Sequence, residues 1–289
     1  MAVIILNGAD FSQNNIGQID LVLPFSKTTK EILIRYGITI DEENPFQTAF
    51  NHFVNDLMKD GVFPKIKNLC LPFMANIAKS GDLAYAQINA IDGENFFTDN
   101  ISGSLAMVGN GLKAVDGGPI AHANLLGYAD PSNMHYGAYN ITPESKEISS
   151  SSKVVYGSTG KAIWLCKYNA QSSPELWVKN PTRIYGDANY ASASALMLGN
   201  ITAVRSSLVV NGQVAEASPT TYSTSVPDNP RVLQYSDLTY SFAEDVQTPY
   251  TASNASWSLF TIGDPLTDEE SIAYNNAVNK LMQAVNEYL

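Results

Sequence analysis

Apolar residues between Asn44 and Asp60 recur with a helical period. Phe46, Ala49, Phe50, Phe53, Val54, Leu57 and Met58 fall at i, i+3, i+4, i+7, i+8, i+11 and i+12, which is one face of an α-helix. Asn44 is a favourable N-cap, and Pro45 takes the first helical position, where a missing N–H costs nothing. Gly61 supplies a left-handed stop. The pattern predicts a helix over about 45–60 that lays an aromatic face on a core. A second helical period closes the chain: Tyr274, Val278, Leu281, Met282, Val285 and Leu289 share one face. Thr267 and Glu270 have capping-box spacing, with the hydroxyl accepting from the N3 amide and the carboxylate reaching back to the N-cap amide. Asp268, Glu269 and Glu270 favour the positive end of the helix dipole. This predicts a helix over about 267–288.

Between the two helices the period changes. From Asn95 onward the chain reads as short strands, separated by turn signals at Gly109-Asn110-Gly111, Asp116-Gly117-Gly118, Gly157-Ser158-Thr159-Gly160, Gly186-Asp187 and Asn211-Gly212. Ser207–Val210 and Gln213–Ala215 form a predicted hairpin, since Asn-Gly takes the positive φ angles of a type I′ turn at little steric cost. A body of this kind argues for a sandwich or barrel. Val62–Ala75, punctuated by Pro64 and Pro72, reads as a compact connection or short helix, and the serine-rich 149–153 run as an exposed loop. Before the first helix, Val3–Leu6 is an apolar run halted by Asn7-Gly8, and Ile19–Leu23 reads as a strand stopped by Pro24. Nothing in the first forty residues forms a large core alone. The predicted organisation is an N-terminal arm or anchor over 1–43, a helical connection packed on the sandwich over 44–94, and a sandwich with its C-terminal helix over 95–289.

Composition narrows the function classes. The 289 residues are 45% apolar, enough for a full core, and only 16% charged, below the quarter or so of a typical soluble domain. The net charge is −11, from 28 acids against 17 scattered bases, so nucleic acid and anionic membranes are unexpected partners. No stretch approaches the ~18–20 apolar residues of a membrane span. The Val3–Leu6 run is too short for a signal peptide and lacks a basic flank. The sequence predicts a soluble chain made without a secretion signal. Cys70 and Cys166 lie far apart in apolar company with no metal-ligand or redox spacing, and read as buried free thiols of a reducing cytoplasm.

Two phrases carry resemblances. Asp10-Phe11-Ser12-Gln13-Asn14-Asn15-Ile16-Gly17-Gln18-Ile19 reads from its residues as an ordered, turn-rich arm. It resembles an N-terminal phrase, Asp-Phe-Ser-x-Asn-x-(Ile/Leu)-Gly-x-(Ile/Val), of virion proteins from phages of Bacteroides-type gut bacteria and of related surface proteins. The ending, an apolar strand over Ser258–Ile262, then Gly263 and Leu266-Thr267-Asp268-Glu269-Glu270, is similar to that of laminin-G-like, concanavalin A-like sandwiches. The basic residue often found before the Leu is absent, and the helix is longer. Together the resemblances imply a mainly β fold, a concanavalin A-like jelly-roll sandwich with an N-terminal β arm, and a place in a virion. They name no catalytic residue.

Candidate chemistry is sparse. The histidines are His52, His122 and His135. His52 falls off the apolar stripe of its helix and reads as exposed. His135, after Asp130-Pro131-Ser132-Asn133-Met134, would reach Asp130 across a turn in a structural role. Neither Gly-x-Ser-x-Gly nor His-Glu-x-x-His occurs. Gly157-Ser158-Thr159-Gly160-Lys161 echoes a phosphate loop but lacks the four-residue gap between glycines, so it reads as a turn. A sandwich glycosidase would carry Glu-x-Asp-x-x-Glu along an inner strand, where alternation aims both acids at the sugar. No such run exists, and Glu144–Glu147 reads as a loop. Asp187-Ala188-Asn189 and Asp228-Asn229 offer oxygens to calcium but read as solvated turns. Trp164, Trp177 and Trp257 are candidate sugar platforms; Trp257 reads as core, and Trp177 is the best candidate for exposure.

The sequence therefore predicts a phage virion structural protein, assembled in the bacterial host cytoplasm and not an enzyme. No catalytic, metal or cofactor residues are assigned, and the ligand-binding residues remain unassigned. The leading expectation is a tail fibre or appendage subunit. Its arm would contact other virion proteins, a homo-oligomer is expected with a trimer favoured, and host-surface glycan attachment extends the role. The alternatives are a head fibre or capsid auxiliary protein and, from another class, a glycan hydrolase on the same fold.

Overall fold

The computed structural model describes residues 24–79, 81–97, 105–114, 121–122, 133–141, 153–157, 163–168, 174–178, 182–186, 194–202, 204–215, 231–232, 251–252 and 256–289. Its helices are α1 (Lys27–Arg35), α2 (Pro45–Lys59), α3 (Met74–Lys79) and α4 (Asp268–Tyr288). The strands are β1 (Ile66–Cys70), β2 (Leu105–Val108), β3 (Gly111–Ala114), β4 (Ala121–His122), β5 (Met134–Asn140), β6 (Lys153–Gly157), β7 (Ile163–Tyr168), β8 (Glu175–Val178), β9 (Thr182–Tyr185), β10 (Leu196–Ile201), β11 (Ser206–Val210), β12 (Gln213–Val214), β13 (Arg231–Val232), β14 (Thr251–Ala252) and β15 (Trp257–Gly263).

These strands form two sheets. The first runs β12-β11-β10-β5-β15-β3-β2, with β1 also paired to β15; the second runs β4-β13-β6-β7-β8-β9, with β14 paired in parallel to β6. The first sheet is covered on both sides. Met134, Tyr136, Ala138, Met197, Leu208, Val210, Phe260 and Ile262 join a core that includes Leu176 and Ile184 of the second sheet. The alternate residues Tyr139, Leu196, Leu198, Val209 and Leu259 join a core with α1, α2 and α4. The molecule is thus three layers, helices on sheet on sheet. This explains why β5, β10, β11 and β15 are buried at every position instead of showing the in–out alternation of a half-exposed antiparallel strand. The expected mainly β sandwich with an N-terminal and a C-terminal helix is what the chain forms.

The helices start as the sequence dictates. Asn44 caps α2 through its side-chain oxygen on the Gln47 amide, and Thr267 and Glu270 complete both bonds of the capping box on α4. Helices α2 and α4 pack together, with Lys280 Nζ 3.0 Å from Asp56 Oδ2. Met58 and Leu289, expected on the apolar stripes, are exposed instead; Leu289 lies just past the end of α4. The hairpin β11–β12 turns through Asn211 (φ 50°) and Gly212 (φ 77°), the positive-φ pair expected of Asn-Gly.

Two segments differ from expectation. Within the stretch read as an arm, Lys27–Arg35 is a helix capped by Ser26, with Ile32, Leu33 and Tyr36 buried. Asn51 of α2 anchors it, its Oδ1 accepting from the Ser26 amide (3.0 Å) and the Thr29 hydroxyl (2.9 Å). The remainder of the arm, including Ile19–Leu23, lies outside the described residues. Within the stretch read as a connection, Ile66–Cys70 is strand β1, paired along the far half of β15. Five residues between two prolines are too few to show a period.

Gly263 marks the tightest point of this pairing. A Cβ there would overlap the carbonyl oxygen of Lys65 and stand 2.7 Å from His135 Cε1 and 3.0 Å from Ile66 Cα. Two of those neighbours are backbone and cannot swing away. Gly263→Ala is therefore expected to destabilise by about 1–3 kcal/mol or more, measured by urea unfolding. Gly61→Ala, at φ 72° with nothing within 4 Å, is expected to lose only about 1 kcal/mol, the cost of a left-handed side-chain residue.

Candidate functional site

The second sheet presents one face to the core and one away from it. Leu176 of β8 and Ile184 of β9 are buried, and a Cβ on Gly199 of β10 would come within 2.7 Å of Leu176 Cδ1. Leu176 thus seats into a position on the first sheet that has no side chain. In backbone register with these two run Leu165 of β7, Tyr156 of β6, Val232 of β13 and Ala121 of β4.

The neighbouring backbone register reads His122–Arg231–Gly157–Trp164–Trp177–Arg183 from β4 to β9. Trp164 and Trp177 are direct cross-strand partners, and Arg183 is the partner of Trp177.

A polar cluster lies in the interior, where β5, β15 and α4 meet. His135 is fully buried; its Nδ1 donates to the Asp264 carbonyl (2.7 Å), which leaves Nε2 to accept from the Thr261 hydroxyl (3.0 Å). Tyr274 of α4 stands edge-on to the imidazole, with ring centroids 6.4 Å apart. Burial drives the histidine pKa down to about 4, partly offset by the Asp264 carbonyl bond and the nearby Asp264 carboxylate. Burial likewise pushes the Tyr274 phenol well up. Just outside, Lys65 Nζ lies 2.6 Å from Glu270 Oε2, the carboxylate that closes the capping box of α4. Both imidazole nitrogens are committed within the fold, so this cluster fastens the last strand to the last helix. Asp130, the partner expected from sequence, lies outside the described residues; the ring has no nitrogen left for it.

The remaining candidates separate cleanly. His52 is exposed on α2 and Trp257 is fully buried, as expected. Cys70 is a buried free thiol donating to the Ala86 carbonyl, and burial pushes its pKa well up. Cys166 lies on β7, and its expected burial lies outside what is described. Residues 144–147, 158–161, 187–189 and 228–229 lie outside the described residues. Among the described residues, no group of three or more His, Cys, Asp or Glu stands together to hold a metal ion, and no helix is long and apolar enough to cross a membrane.

No family model and no curated protein matches the chain. Solved structures do match. Trypanosoma rangeli sialidase in complex with 2,3-difluorosialic acid is 15% identical over 61% of this chain and 28% of its own, with a TM-score of 0.43. The receptor-binding domain of botulinum neurotoxin C/D mosaic serotype is 14% identical over 54% and 40%, with a TM-score of 0.39. The CBM40 of Ruminococcus gnavus IT-sialidase, bound to alpha2,6 sialyllactose, is 13% identical over 50% and 82%, with a TM-score of 0.35. The chain spans well under half the length of the sialidases it matches. The expectation that the chain is not an enzyme is corrected here: sialidases stand among the matched structures.

The depressed pKa of His135 has a measurable consequence. The unfolded chain takes up this proton near pH 6.5 and the folded chain only near pH 4. The neutral imidazole therefore favours the fold fully above pH 6.5, and this contribution is lost as the pH falls from 6.5 through 4. The loss is on the order of 3 kcal/mol. Unfolding free energy measured across this window should fall with a slope of about one proton, and His135→Asn should remove that slope while lowering stability at pH 7.

Proposed function

We propose that this chain is a structural subunit of a bacteriophage particle, an appendage protein that meets host-surface glycans. The observation that supports the binding reading is the backbone register that makes Trp164 and Trp177 cross-strand partners. Indole faces stack on the apolar C–H faces of sugar rings, while the ring N–H serves the polar edge. The particle reading rests on the resemblance of the Asp10–Ile19 phrase to virion proteins. The charge balance of −11 is consistent with a partner other than nucleic acid.

A single shallow face binds glycan weakly. Repetition on a homo-oligomer, with a trimer as the favoured arrangement, turns weak contacts into avidity. In this reading the N-terminal arm over 1–43 supplies the contact with other virion proteins, and assembly takes place in the host cytoplasm.

Two measurements test the proposal. Full-length protein is expected to bind a subset of a bacterial-surface glycan array, and Trp177→Ala to reduce that binding about tenfold or more. Antibody against the chain, visualised by immunogold electron microscopy, is expected to label tail appendages of intact particles. Label on the capsid alone would move the subunit to a head fibre or decoration role. Unlabelled particles together with an empty array would overturn the reading.

A further inference from the structure

We propose that residues 264–274 form an acid-operated latch: protonation of His135 frees the entry to α4 and its first two turns from the sheet, while the rest of the helix stays docked. Two neighbouring side chains hold this segment from the sheet. His135 of β5 and Asn200 of β10 are cross-strand partners. Asn200 accepts from the Leu266 amide and donates to the Ser271 hydroxyl, both at 3.0 Å. His135 donates through Nδ1 to the Asp264 carbonyl and accepts the Thr261 hydroxyl on Nε2. Asp264 in turn gives its amide to the Lys65 carbonyl at 2.8 Å. Of the two side chains, only the imidazole can gain a charge.

A proton on Nε2 puts a charge into a site built for a neutral ring. Thr261 must then reverse its hydroxyl, and the charge stays out of water, because His135 is fully buried under the Asp264 carbonyl and the edge-on Tyr274 ring. Release of the segment lifts both covers and lets water reach the imidazolium. The charged groups nearby do not reverse this: burial outweighs the Asp264 and Glu270 carboxylates, which favour the imidazolium, and Lys65 opposes it. On the solvent side the segment is held by the pairs Lys65–Glu270, Lys67–Asp264 and Arg205–Asp268, all partly exposed and therefore weak. The apolar hold is uneven. Within 264–274 the buried apolar side chains are Leu266 and Tyr274, whereas Ala277, Val278, Leu281, Met282 and Val285 anchor the rest of α4. Those later contacts do not titrate, so the opening stays local.

The test is hydrogen–deuterium exchange of the full-length protein as the pH falls from 6.5 to 4, expressed as protection factors so that the intrinsic pH dependence of exchange divides out. Amides of residues 266–274 are expected to lose protection by about tenfold per pH unit. Their exchange should respond little to low urea, the mark of a local opening that exposes little surface. Amides of residues 278–285 should stay about tenfold or more better protected at pH 4 and keep the urea dependence of global unfolding. His135→Asn should flatten the pH dependence of 266–274, and His52→Asn, at an exposed position of α2, should leave it unchanged. The ring resonance of His135 in the wild type gives a check that needs no variant, since its protonation must track the opening. The latch is overturned by equal protection in the two parts of α4 throughout, or by protection of 266–274 that does not change with pH. A protonated His135 with the segment closed, or a folded His135→Asn variant that keeps the pH dependence, overturns it equally.

Discussion

Strand β15 is held in the middle of the molecule, and the rest of the structure is arranged around that fact. Trp257, Leu259, Phe260 and Ile262 are fully buried, with β5 along one edge and β1 and β3 sharing the other. A strand with core on both faces has no solvent in which to satisfy its polar groups, so each must find a partner inside. Ser256 donates to the Val108 carbonyl and Ser258 to that of Asn110, which ties the β2–β3 turn to the strand. Thr261 donates to His135, whose other nitrogen holds the carbonyl of Asp264 just past the strand. Gly263 lets β1 close over the end. The path into α4 is thereby held from the strand side as well as by its capping box.

The second sheet docks on the same centre. The first sheet offers Gly199 as a seat for Leu176, so β8 packs where the first sheet has no side chain. Cross-strand backbone pairing then links β8 to β9 and β7, and runs on through β6 and β13 to β4.

Much of this was legible locally. The periodicity and caps of α2 and α4 are written within single helical turns, and the Asn211-Gly212 turn within two residues. Ser26 as the cap of α1 was equally local, yet the nine-residue helix behind it has too few apolar positions to stand out until Ile32, Leu33 and Tyr36 meet the core. Strand β1 was hidden because its apolar run is short and its partner lies at the opposite end of the chain. Trp177 could be named a candidate from its own neighbourhood. Its backbone partners Trp164 and Arg183 could not, since they are set only by register between strands. The sequence contains no local record of that pairing. Signals within a few residues survive in a single sequence, whereas rows across a sheet do not.

The placement of β15 also bears on the order of events during synthesis. Its partners on either side, β5 and β1, emerge from the ribosome long before it does, and Asn140 must wait for Trp257. Until then the first sheet is two half-sheets with open, apolar edges, the situation in which nascent chains associate wrongly. A chain that stops short of residue 257 lacks a centre instead of merely a tail. Such a fragment would present sticky strands in place of the three-layer body.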